Sequence, residues 1–525
     1  MVYEFKFLKG ECFWGASTMD GVYNPFTEES DFARDFRIWP RNQTMPFLVS
    51  NKGRYIWSDK IFNFTVKDGV MTLESDAEIT MTQAGTTLRE AYLDAMKKHF
   101  PFDGVRLPEK FFTTAQYNTW MEFDYHQNQK GILEYAHAIV DNGYEPGILM
   151  IDEGWHKRYG EWEFDLYKFP DPKAMTDELH QMGFKVLLWV TPYVSPDGYD
   201  YVKSISTASW WGDTTGNKDR FIRNAKGEVA LFKWWNGYSA MLDFRKPNDA
   251  EYLYRKLRKL IDDYGIDGFK FDGANPSAAG GYHPRNMVNG PAREDHDPYE
   301  MNIAWNEFGR RFEYLEFKDT YMGGGKNCIQ RLADRNHKWV NDGIDSIIPS
   351  SIVQGLIGHP FICPDMIGGG SWAYNVMPDF KMDEELFVRM AQVSALCPMM
   401  QFSWAPWRVL SEKSQKLVHD AAMLHKELSG EILALVRESE VSGEPILRNL
   451  EYNDPGKGYE RIVDQYMVGN DILVAPVITP ETYVRDVVFP EGEWIDAYDG
   501  KVYEGGKTHK VDSPIEKLPW FRRKK

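Results

Sequence analysis

The sequence is poor in cysteine and has no long apolar run. Its four cysteines are far apart in the chain, at Cys12, Cys328, Cys363 and Cys397. We therefore expect neither a disulfide framework nor a zinc knuckle, and the pattern favours a reducing compartment. No segment approaches the roughly 20 apolar residues of a membrane span. The first six residues lack the basic and apolar regions of a secretion signal. These absences predict a cytoplasmic protein that does not enter membranes.

Positive charge is also scarce, since the net charge is −17 over 525 residues. Phosphate groups are bound by clustered Lys and Arg, so this balance argues against nucleic acid and anionic membranes as partners. No predicted strand is followed by a Gly-x-Gly-x-x-Gly turn, and the glycines at 323–325 lack the spacing of a phosphate loop. The acidic segment 294–297 has no companion ligand motif. We therefore predict neither a cofactor nor a metal.

Aromatic residues, by contrast, are abundant at 15%, with 18 Trp. Flat aromatic rings suit the apolar faces of sugars, although most such rings fill protein cores. The length predicts two or three domains. Residues 1–107 read as an N-terminal β-sandwich, because Phe62, Phe64 and Val66 alternate with polar residues before an Asp68-Gly69 turn. Residues 431–525 read as a C-terminal β domain with a core strand at 472–478.

Between these β regions, residues 108–430 alternate helical and short apolar segments. Strands are predicted at 147–151, 185–190 and 266–272, and amphipathic helices separate them. This alternation predicts an α/β protein whose centre is a (β/α)8 TIM barrel, with a doubly wound open sheet as the alternative.

One predicted barrel strand ends abruptly on a carboxylate. A helix stops at Gly265, a buried strand follows, and Gly273 breaks the chain directly after Asp272. Two more predicted strands end at Asp152 and Asp365. In a TIM barrel, residues at these strand ends form the active site. Carboxylates that meet there suit cleavage of a glycosidic bond, which needs one nucleophile or base and one acid. The competing interpretation is that these are solvated loop residues.

The barrel region resembles glycoside hydrolase family 31, a family of retaining α-glycosidases. Within it, the chain is most similar to the branch that includes the myogenesis-regulating glycosidase and α-galactosidase-like members. Six stretches carry the resemblance, in the family's order from about residue 114 to 480: WVTPYV (189–194), WWNGYSAMLDF (234–244), FKFD (269–272), RLADRNHKWVND (331–342), PDMIGG (364–369) and MQFSWAPWR (400–408).

The resemblance implies a role for each carboxylate. Asp272 would be the nucleophile and Asp342 the general acid/base, in a Trp-x-x-Asp pattern. Asp334 is the rival for the second role, but Arg331 and Arg335 flank it and would hold it ionised, whereas an acid must keep its proton.

The remaining candidates would hold the sugar. Lys270 lies two residues before Asp272, so it points to the same side of the strand. Asp152 and Asp365 would bind sugar hydroxyls, and Arg331 would contact a hydroxyl or form a structural ion pair with Asp334. Three tryptophans are candidates to wall the pocket or to fill the core: Trp189, Trp235 and Trp407.

The sequence departs from the family's α-glucosidases after the nucleophile. Gly273-Ala274 stands where those relatives carry Met-Asn-Glu-like residues, which favours galactose over glucose. The expected partner is a small carbohydrate, and no cofactor is implied. A transglycosidase and a catalytically silent carbohydrate-binding protein stay open as alternatives, as does a homo-oligomer.

Overall fold

A computed structural model describes residues 1–40, 42–205, 220–278, 280–372, 377–378 and 380–525. Its N-terminal part is two antiparallel sheets that share one apolar core, so the predicted sandwich is confirmed. Asp68 and Gly69 have positive φ angles of 50° and 75° and form the predicted hairpin turn. The strands are β1 (Val2–Lys6), β2 (Phe13–Ser17), β3 (Phe32–Asp35), β4 (Gln43–Ser50), β5 (Arg54–Ser58), β6 (Phe62–Lys67), β7 (Val70–Ser75) and β8 (Ile79–Gln83).

The central region closes into a parallel barrel. Its strands, with the short strands between them, are β9 (Gln116–Asn118), β10 (Ile148–Ile151), β11 (Lys185–Val190), β12 (Tyr193–Val194), β13 (Phe232–Trp234), β14 (Gly237–Met241), β15 (Gly268–Phe271), β16 (Tyr314–Phe317), β17 (Thr320–Tyr321), β18 (Ile329–Arg331), β19 (Ile362–Cys363), β20 (Met366–Ile367) and β21 (Gln401–Phe402). The sheet runs in the order β19-β18-β16-β15-β11-β10-β9-β21-β20.

Two of those segments, β19 and β20, are halves of one strand. Pro364 and Asp365 interrupt it, and Asp365 has a φ of 87°. The first half pairs with β18 and the second with β21, so the sheet joins its own ends. Counted this way, the described residues form eight barrel strands, and the predicted (β/α)8 barrel is confirmed.

Helices cover most of the barrel's outer face. The α-helices of the described residues, which include α1 on the sandwich and α13 in the C-terminal domain, are α1 (Leu88–His99), α2 (Lys110–Thr113), α3 (Trp120–Phe123), α4 (Gln129–Asp141), α5 (Pro172–Gln181), α6 (Tyr199–Ile205), α7 (Pro247–Tyr264), α8 (Pro298–Gly309), α9 (Ile347–Leu356), α10 (Glu384–Ala395), α11 (Pro406–Val409), α12 (Glu412–Ser442) and α13 (Leu450–Asn453). In α7, Leu253, Leu257 and Leu260 are buried, and Gly265 ends the helix with a left-handed φ of 76°, as their spacing predicts.

The barrel departs from strict alternation between β16 and β18. Residues 318–328, all described, contain no helix there. Instead β17 pairs in parallel with β4 of the N-terminal sandwich, with Thr320 opposite Gln43. The N-terminal sheet therefore occupies the side of the barrel that a helix would otherwise cover. The largest apolar core accordingly runs from Trp14 and Phe47 of the sandwich into the barrel without a break.

The C-terminal β domain follows a 31-residue helix, α12. The predicted boundary at 430 falls inside this helix, which ends at Gly443. The domain's strands are β22 (Leu447–Arg448), β23 (Tyr466–Val468), β24 (Ile472–Val474), β25 (Val484–Phe489), β26 (Glu493–Asp496), β27 (Val502–Glu504), β28 (Lys507–Asp512) and β29 (Trp520–Arg523). The strand predicted at 472–478 is shorter than expected because it stops before Pro476, which has no N–H to donate. None of the described helices is both long and apolar enough to pass through a bilayer.

The shared core predicts that damage in the sandwich destabilises the whole molecule. Phe47 is fully buried and packs edge-on against Phe100, with ring centroids 5.2 Å apart. We expect Phe47→Ala to lower the free energy of unfolding by about 3–5 kcal/mol, because it removes a large core side chain and leaves a cavity. Urea denaturation followed by barrel tryptophan fluorescence measures this. Tyr167→Ala, at a ring that is 97% exposed, is the control and should change little; equal effects of the two changes would contradict the shared core.

Candidate active site

A cavity of about 470 Å³ opens at the carboxyl ends of the barrel strands. Charged residues form its base, which we call the charged floor: Asp152, Glu153, Lys270, Asp272, Lys318, Arg331 and Asp334. Aromatic and polar residues form the walls: Trp120, Tyr125, Trp189, Trp235, Asn236, Ser371 and Trp372. Six of the nine residues predicted for the site line this cavity: Asp152, Trp189, Trp235, Lys270, Asp272 and Arg331.

Asp272 lies immediately after β15 and is buried. Its Oδ2 accepts a hydrogen bond from the indole Nε1–H of Trp189 at 3.0 Å, and its Oδ1 accepts from the backbone N–H of Gly273 at 2.7 Å. Burial would raise the pKa of Asp272. The charges of Lys318 and Lys270 and the Trp189 hydrogen bond outweigh burial and hold that pKa below its usual value. Asp272 is therefore an ionised carboxylate at the base of the cavity.

Gly273 explains the departure from the α-glucosidase pattern noted in the sequence. It has a φ of 77°, and a Cβ there would lie 2.3 Å from Oγ1 of Thr191. A larger residue after Asp272 would clash with the neighbouring strand end. The backbone N–H of Gly273 donates a hydrogen bond to the carboxylate of Asp272.

A buried ion pair joins β15 and the end of β10, two barrel strands that only β11 separates. Lys270 Nζ lies 2.7 Å from Oδ2 of Asp152, and both side chains are almost fully buried. Asn118, at the end of β9, donates to the same oxygen at 2.7 Å. Because both partners are charged and hydrogen-bonded, the pair can be kept in a low-dielectric site. It fixes the end of β10 relative to the strand that carries Asp272.

A second charge network lies on the side of β16 and β18. Lys318, directly after β16, is 2.7 Å from Oδ2 of Asp334, and Arg331 NH2 is 2.9 Å from Oδ1 of the same residue. Burial would raise the pKa of Asp334, but Lys318 and Arg331 lower it well below its usual value. Asp334 is partly open to the cavity, with 32% of its side chain exposed. The charged floor therefore contains two ionised carboxylates, Asp272 and Asp334, and the Lys318 ammonium lowers the pKa of both.

Glu153 forms the third part of the floor and has neutral partners. Tyr159 OH, Trp235 Nε1 and Asn236 Nδ2 donate to its carboxyl group at 2.6, 3.2 and 2.5 Å. Burial, together with the charges of Asp152 and Asp272, raises the pKa of Glu153 to about 8, although these hydrogen bonds act in the opposite direction. At neutral pH Glu153 therefore carries a proton. Its hydrogen bonds with Trp235 and Asn236 hold the turn between β13 and β14 in place.

Aromatic rings surround the mouth of the cavity. Trp120 contacts Tyr125 edge-on at 5.2 Å, and Tyr125 contacts Trp372 edge-on at 6.1 Å. Trp235, on the β13–β14 turn, is 50% exposed. Such exposed rings above polar groups are the usual surface for the apolar faces of a sugar. The cavity can thus bind a small carbohydrate and present it to Asp272.

Three predicted site residues do not line the cavity. Asp342 is exposed and lines a separate cleft beside the sandwich, with Asp20, Arg34 and Trp39. Asn341 and Asp342 both adopt left-handed φ angles there, of 62° and 64°.

Asp365 and Trp407 lie behind the cavity. Asp365 is buried, pairs with Arg331, and accepts from the backbone N–H groups of Arg335 and Gly370 at 2.7 and 3.0 Å. It therefore anchors Arg331 and is not among the residues that line the cavity. Trp407 packs against Tyr135 and Tyr144, each with ring centroids 5.9 Å away. Trp407 therefore belongs to the aromatic packing outside the cavity, which was the core interpretation of this tryptophan.

The sequence interpretation missed Lys318, Glu153 and much of the wall. Glu153 directly follows the predicted Asp152, so its position at a strand end was a usable signal. Lys318 follows the four-residue strand β16, which the apolar pattern does not mark because Glu316 interrupts it. The described residues contain no cluster of three or more His, Cys, Asp or Glu arranged to hold a metal ion.

Family models match most of the chain. Residues 105–416 match the model described as "Glycosyl hydrolases family 31 TIM-barrel domain", and residues 443–525 match "Glycosyl hydrolase family 31 C-terminal domain". Among curated proteins, the chain is 32% identical over 418 residues to the myogenesis-regulating glycosidase of Mus musculus, covering 77% of this chain and 55% of the relative. It is 26% identical to "Alpha-glucosidase 2" of Bacillus thermoamyloliquefaciens, covering 75% and 50%. The chain spans about half the length of these two curated relatives.

Solved structures share the fold at low sequence identity. A dextranase of this family from Flavobacterium johnsoniae, complexed with glucose, superimposes with a TM-score of 0.83 at 19% identity, covering 99% of this chain and 66% of the other. An α-xylosidase from a soil metagenome, complexed with xylose, gives a TM-score of 0.81 at 21% identity, covering 99% and 79%. At this identity the similarity establishes the fold alone.

The proton on Glu153 predicts a pH dependence of stability. Its pKa is about 8 in the folded protein against an ordinary value of 4.5, so between these values the native state binds more protons than the unfolded state. Stability from this group is complete below pH 4.5 and is lost as the pH rises toward 8, by up to about 1.4 kcal/mol per pH unit. Glu153→Gln should remove this slope. Unfolding free energies of both proteins between pH 5 and 8 measure it; parallel profiles would contradict a protonated Glu153.

Proposed function

Because the chain belongs to glycoside hydrolase family 31, we propose that it is a retaining α-glycosidase. Its substrate would be a small oligosaccharide or glycoside, from which it removes the terminal α-linked sugar. The observation that supports this activity is the ionised carboxylate of Asp272 in a cavity with aromatic walls at the carboxyl ends of the barrel strands. Retaining hydrolysis requires such a carboxylate as nucleophile and a second carboxyl group as acid/base.

In this proposal Asp272 is the nucleophile. The ionised carboxylate attacks the anomeric carbon, the bond to the leaving oxygen breaks, and a covalent glycosyl-enzyme forms. Lys318 and Lys270 keep Asp272 charged before attack. Because Trp189 and Gly273 both donate to it, the carboxylate is held in one orientation and little ordering remains to be done in the transition state.

We infer from the resemblance that Asp342 is the general acid/base, because it ends the family's Trp-x-x-Asp pattern. Asp334 is the rival candidate, and it lies in the cavity, whereas Asp342 lies in the cleft beside the sandwich. Although burial acts in the opposite direction, the charges of Lys318, at 2.7 Å, and of Arg331 hold the pKa of Asp334 well below its usual value, so Asp334 has no proton to give. The acid/base protonates the leaving oxygen in the first step, and in the second step it takes a proton from the water that releases the sugar.

The remaining floor residues would hold the sugar hydroxyls. Asp152, Lys270 and Arg331 point charged groups into the cavity from three different strand ends. We propose galactose as the favoured sugar over glucose, supported by Gly273, which leaves no room for the side chains that follow the nucleophile in the α-glucosidases. We also propose a reducing, cytoplasmic location, supported by four free and buried cysteines.

Replacing Asp272 tests the activity itself. Asp272→Ala should abolish turnover of every member of a panel of nitrophenyl α-glycosides, because no covalent intermediate can form; the loss should exceed roughly 10⁴-fold. The same panel, run on the unaltered protein, compares the α-galactoside with the α-glucoside. A covalent cyclitol inhibitor should label Asp272 and leave the alanine variant unlabelled. Turnover near that of the unaltered protein would contradict the nucleophile assignment.

Replacing Asp334 and Asp342 separately tests the acid/base assignment. Asp342→Ala should lower kcat/KM by about 10²–10⁴-fold for an alkyl glycoside, which needs a proton on its leaving oxygen. The loss should be much smaller for a dinitrophenyl glycoside, and azide should rescue the variant as a β-glycosyl azide. Asp334→Ala is the comparison variant and should slow both substrates alike, because it removes the partner of Lys318 and Arg331. Leaving-group dependence and azide rescue in Asp334→Ala instead would make Asp334 the acid/base.

A further inference from the structure

We propose that Glu316, a buried residue inside the barrel, is a positioning residue that fixes the Arg331 guanidinium in the charged floor of the active site. Glu316 is fully buried and is not among the residues that line the cavity. It can therefore influence a bound sugar only through another side chain. This inference rests on the proposed role of Arg331 in holding the sugar, and the experiment below distinguishes failure of that role from failure of the inference.

The strand β16 carries a carboxylate inside the barrel. It reads Tyr-Leu-Glu-Phe, and all but its first residue are buried. Glu316 is the register neighbour of Lys270 on the parallel strand β15, and Lys270 points into the barrel toward Asp152. Neighbours in register on parallel strands point to the same side of the sheet. Glu316 therefore lies inside the barrel, where a carboxylate is costly unless a cation compensates its charge.

Arg331 is the cation that lies closest to it. The Nε of Arg331 is 3.5 Å from Oε1 of Glu316, its NH2 is 2.9 Å from Oδ1 of Asp334, and its NH1 pairs with Asp365. Among the described residues, neither Arg331 Nε nor Glu316 Oε1 has a hydrogen-bond partner, so the ion pair is the polar contact of both atoms. Carboxylates thus surround the planar guanidinium on three sides, and Glu316 supplies the contact at its Nε edge.

Gln401 holds Glu316 in turn. It lies on β21, which two strands of the closed barrel separate from β16, and it is fully buried. Its Nε2 donates to Oε2 of Glu316 at 3.0 Å. Burial raises the pKa of Glu316, while the charges of Arg331 and Lys270 and the Gln401 hydrogen bond act in the opposite direction. The two carboxylate oxygens therefore have separate partners, which fix the orientation of the side chain.

Compensation of the Arg331 charge does not require Glu316. A broken buried ion pair is costly when it leaves a charge without a partner. Without Glu316, Arg331 would still pair with Asp334 and Asp365. What it would lose is the contact at Nε, so the guanidinium could tilt out of its plane in the floor. A displacement of about 1 Å in a group that binds substrate can cost roughly 100-fold.

Two variants of Glu316 separate the placement of its oxygen from its charge. Glu316→Asp keeps the charge but withdraws the carboxylate from Arg331 Nε by one methylene. Glu316→Gln loses the charge but keeps an acceptor oxygen at the same distance. Its new amide can donate to Oε1 of Gln401, an atom without a hydrogen-bond partner in the described part of the chain.

The matched control is Glu451→Asp. Glu451 is also a buried glutamate, and its Oε1 accepts from the backbone N–H of Gly456 at 3.0 Å. Its Oε2, like Oε1 of Glu316, has no hydrogen-bond partner among the residues described. It lies in α13 of the C-terminal domain. The control therefore shortens a comparable buried acid outside the barrel.

The covalent cyclitol inhibitor is the probe, because it separates sugar binding from attack by Asp272. Labelling at saturation counts the folded sites, and the inhibitor's dissociation constant and limiting inactivation rate are then measured for each variant. We expect Glu316→Asp to raise the dissociation constant about 10- to 100-fold. The inactivation rate should stay nearly unchanged, since Trp189 and Gly273 hold Asp272. Glu316→Gln and Glu451→Asp should bind the inhibitor like the unaltered protein.

A double-mutant cycle tests whether Glu316 acts through Arg331. Arg331→Lys keeps the charge but removes the planar fork, so it should itself raise the dissociation constant. If Glu316 positions that fork, Glu316→Asp should add little to the dissociation constant once Arg331 is replaced by Lys. A residue that merely stabilises the fold would raise it by the same factor in both backgrounds.

The outcomes are distinguishable. If Arg331→Lys binds the inhibitor normally, Arg331 does not hold the sugar, and the inference falls while the nucleophile assignment stands. If Arg331→Lys binds weakly but the two changes multiply, or if Glu316→Gln is impaired and Glu316→Asp is not, Glu316 acts by its charge or on the fold, and the inference is overturned. Failure of the inhibitor to label Asp272 in the unaltered protein would contradict the proposed function itself, and the inference with it.

Discussion

The charge of the Lys318 ammonium, which lies 2.7 Å from Asp334 and also acts on Asp272, is the interaction on which the active site depends. Two buried carboxylates cannot both stay ionised in a low-dielectric site unless cations offset them. Lys318 does so for both, and it lowers the pKa of each more than any other charge does. Glu153 has neutral donors as partners and keeps its proton. The distribution of cations thus assigns each acid its protonation state.

Much of the fold could be predicted because local chemistry and tertiary structure agree. The leucine spacing of α7 and the Asp68-Gly69 turn require no knowledge of distant residues. The rule that chemistry lies at strand ends also predicted Asp152 and Asp272, which line the cavity, since the uninterrupted apolar strands before them mark their own ends. The same rule missed Lys318, because β16 contains the inward-pointing Glu316 and no helix follows it. The segment after β16 contains β17, which pairs with β4 of the N-terminal sandwich. No local sequence pattern predicts such a pairing.

Asp334 and Asp342 show a second limit. They lie eight residues apart in one loop, and the resemblance, not spacing, assigned the acid/base role to Asp342 through its Trp-x-x-Asp pattern. Trp339 of that pattern donates its indole N–H to Asp383 at 2.9 Å, and Asn341 and Asp342 are both left-handed. No local pattern predicts that course of the loop. The argument that Arg331 keeps Asp334 ionised needed only the neighbouring charges, and Lys318 adds to them.

The pairing of β4 with β17 has a consequence for how the chain is made. The N-terminal sheet emerges from the ribosome early, but the contact between Asn42 and Asp319 spans 277 residues. At synthesis rates of about 5–20 residues per second, the start of β4 stays an open strand edge for roughly 14–55 seconds. An unpaired edge invites association with other strands. The start of β4 is therefore open to mispairing while residues up to Asp319 are still being synthesised.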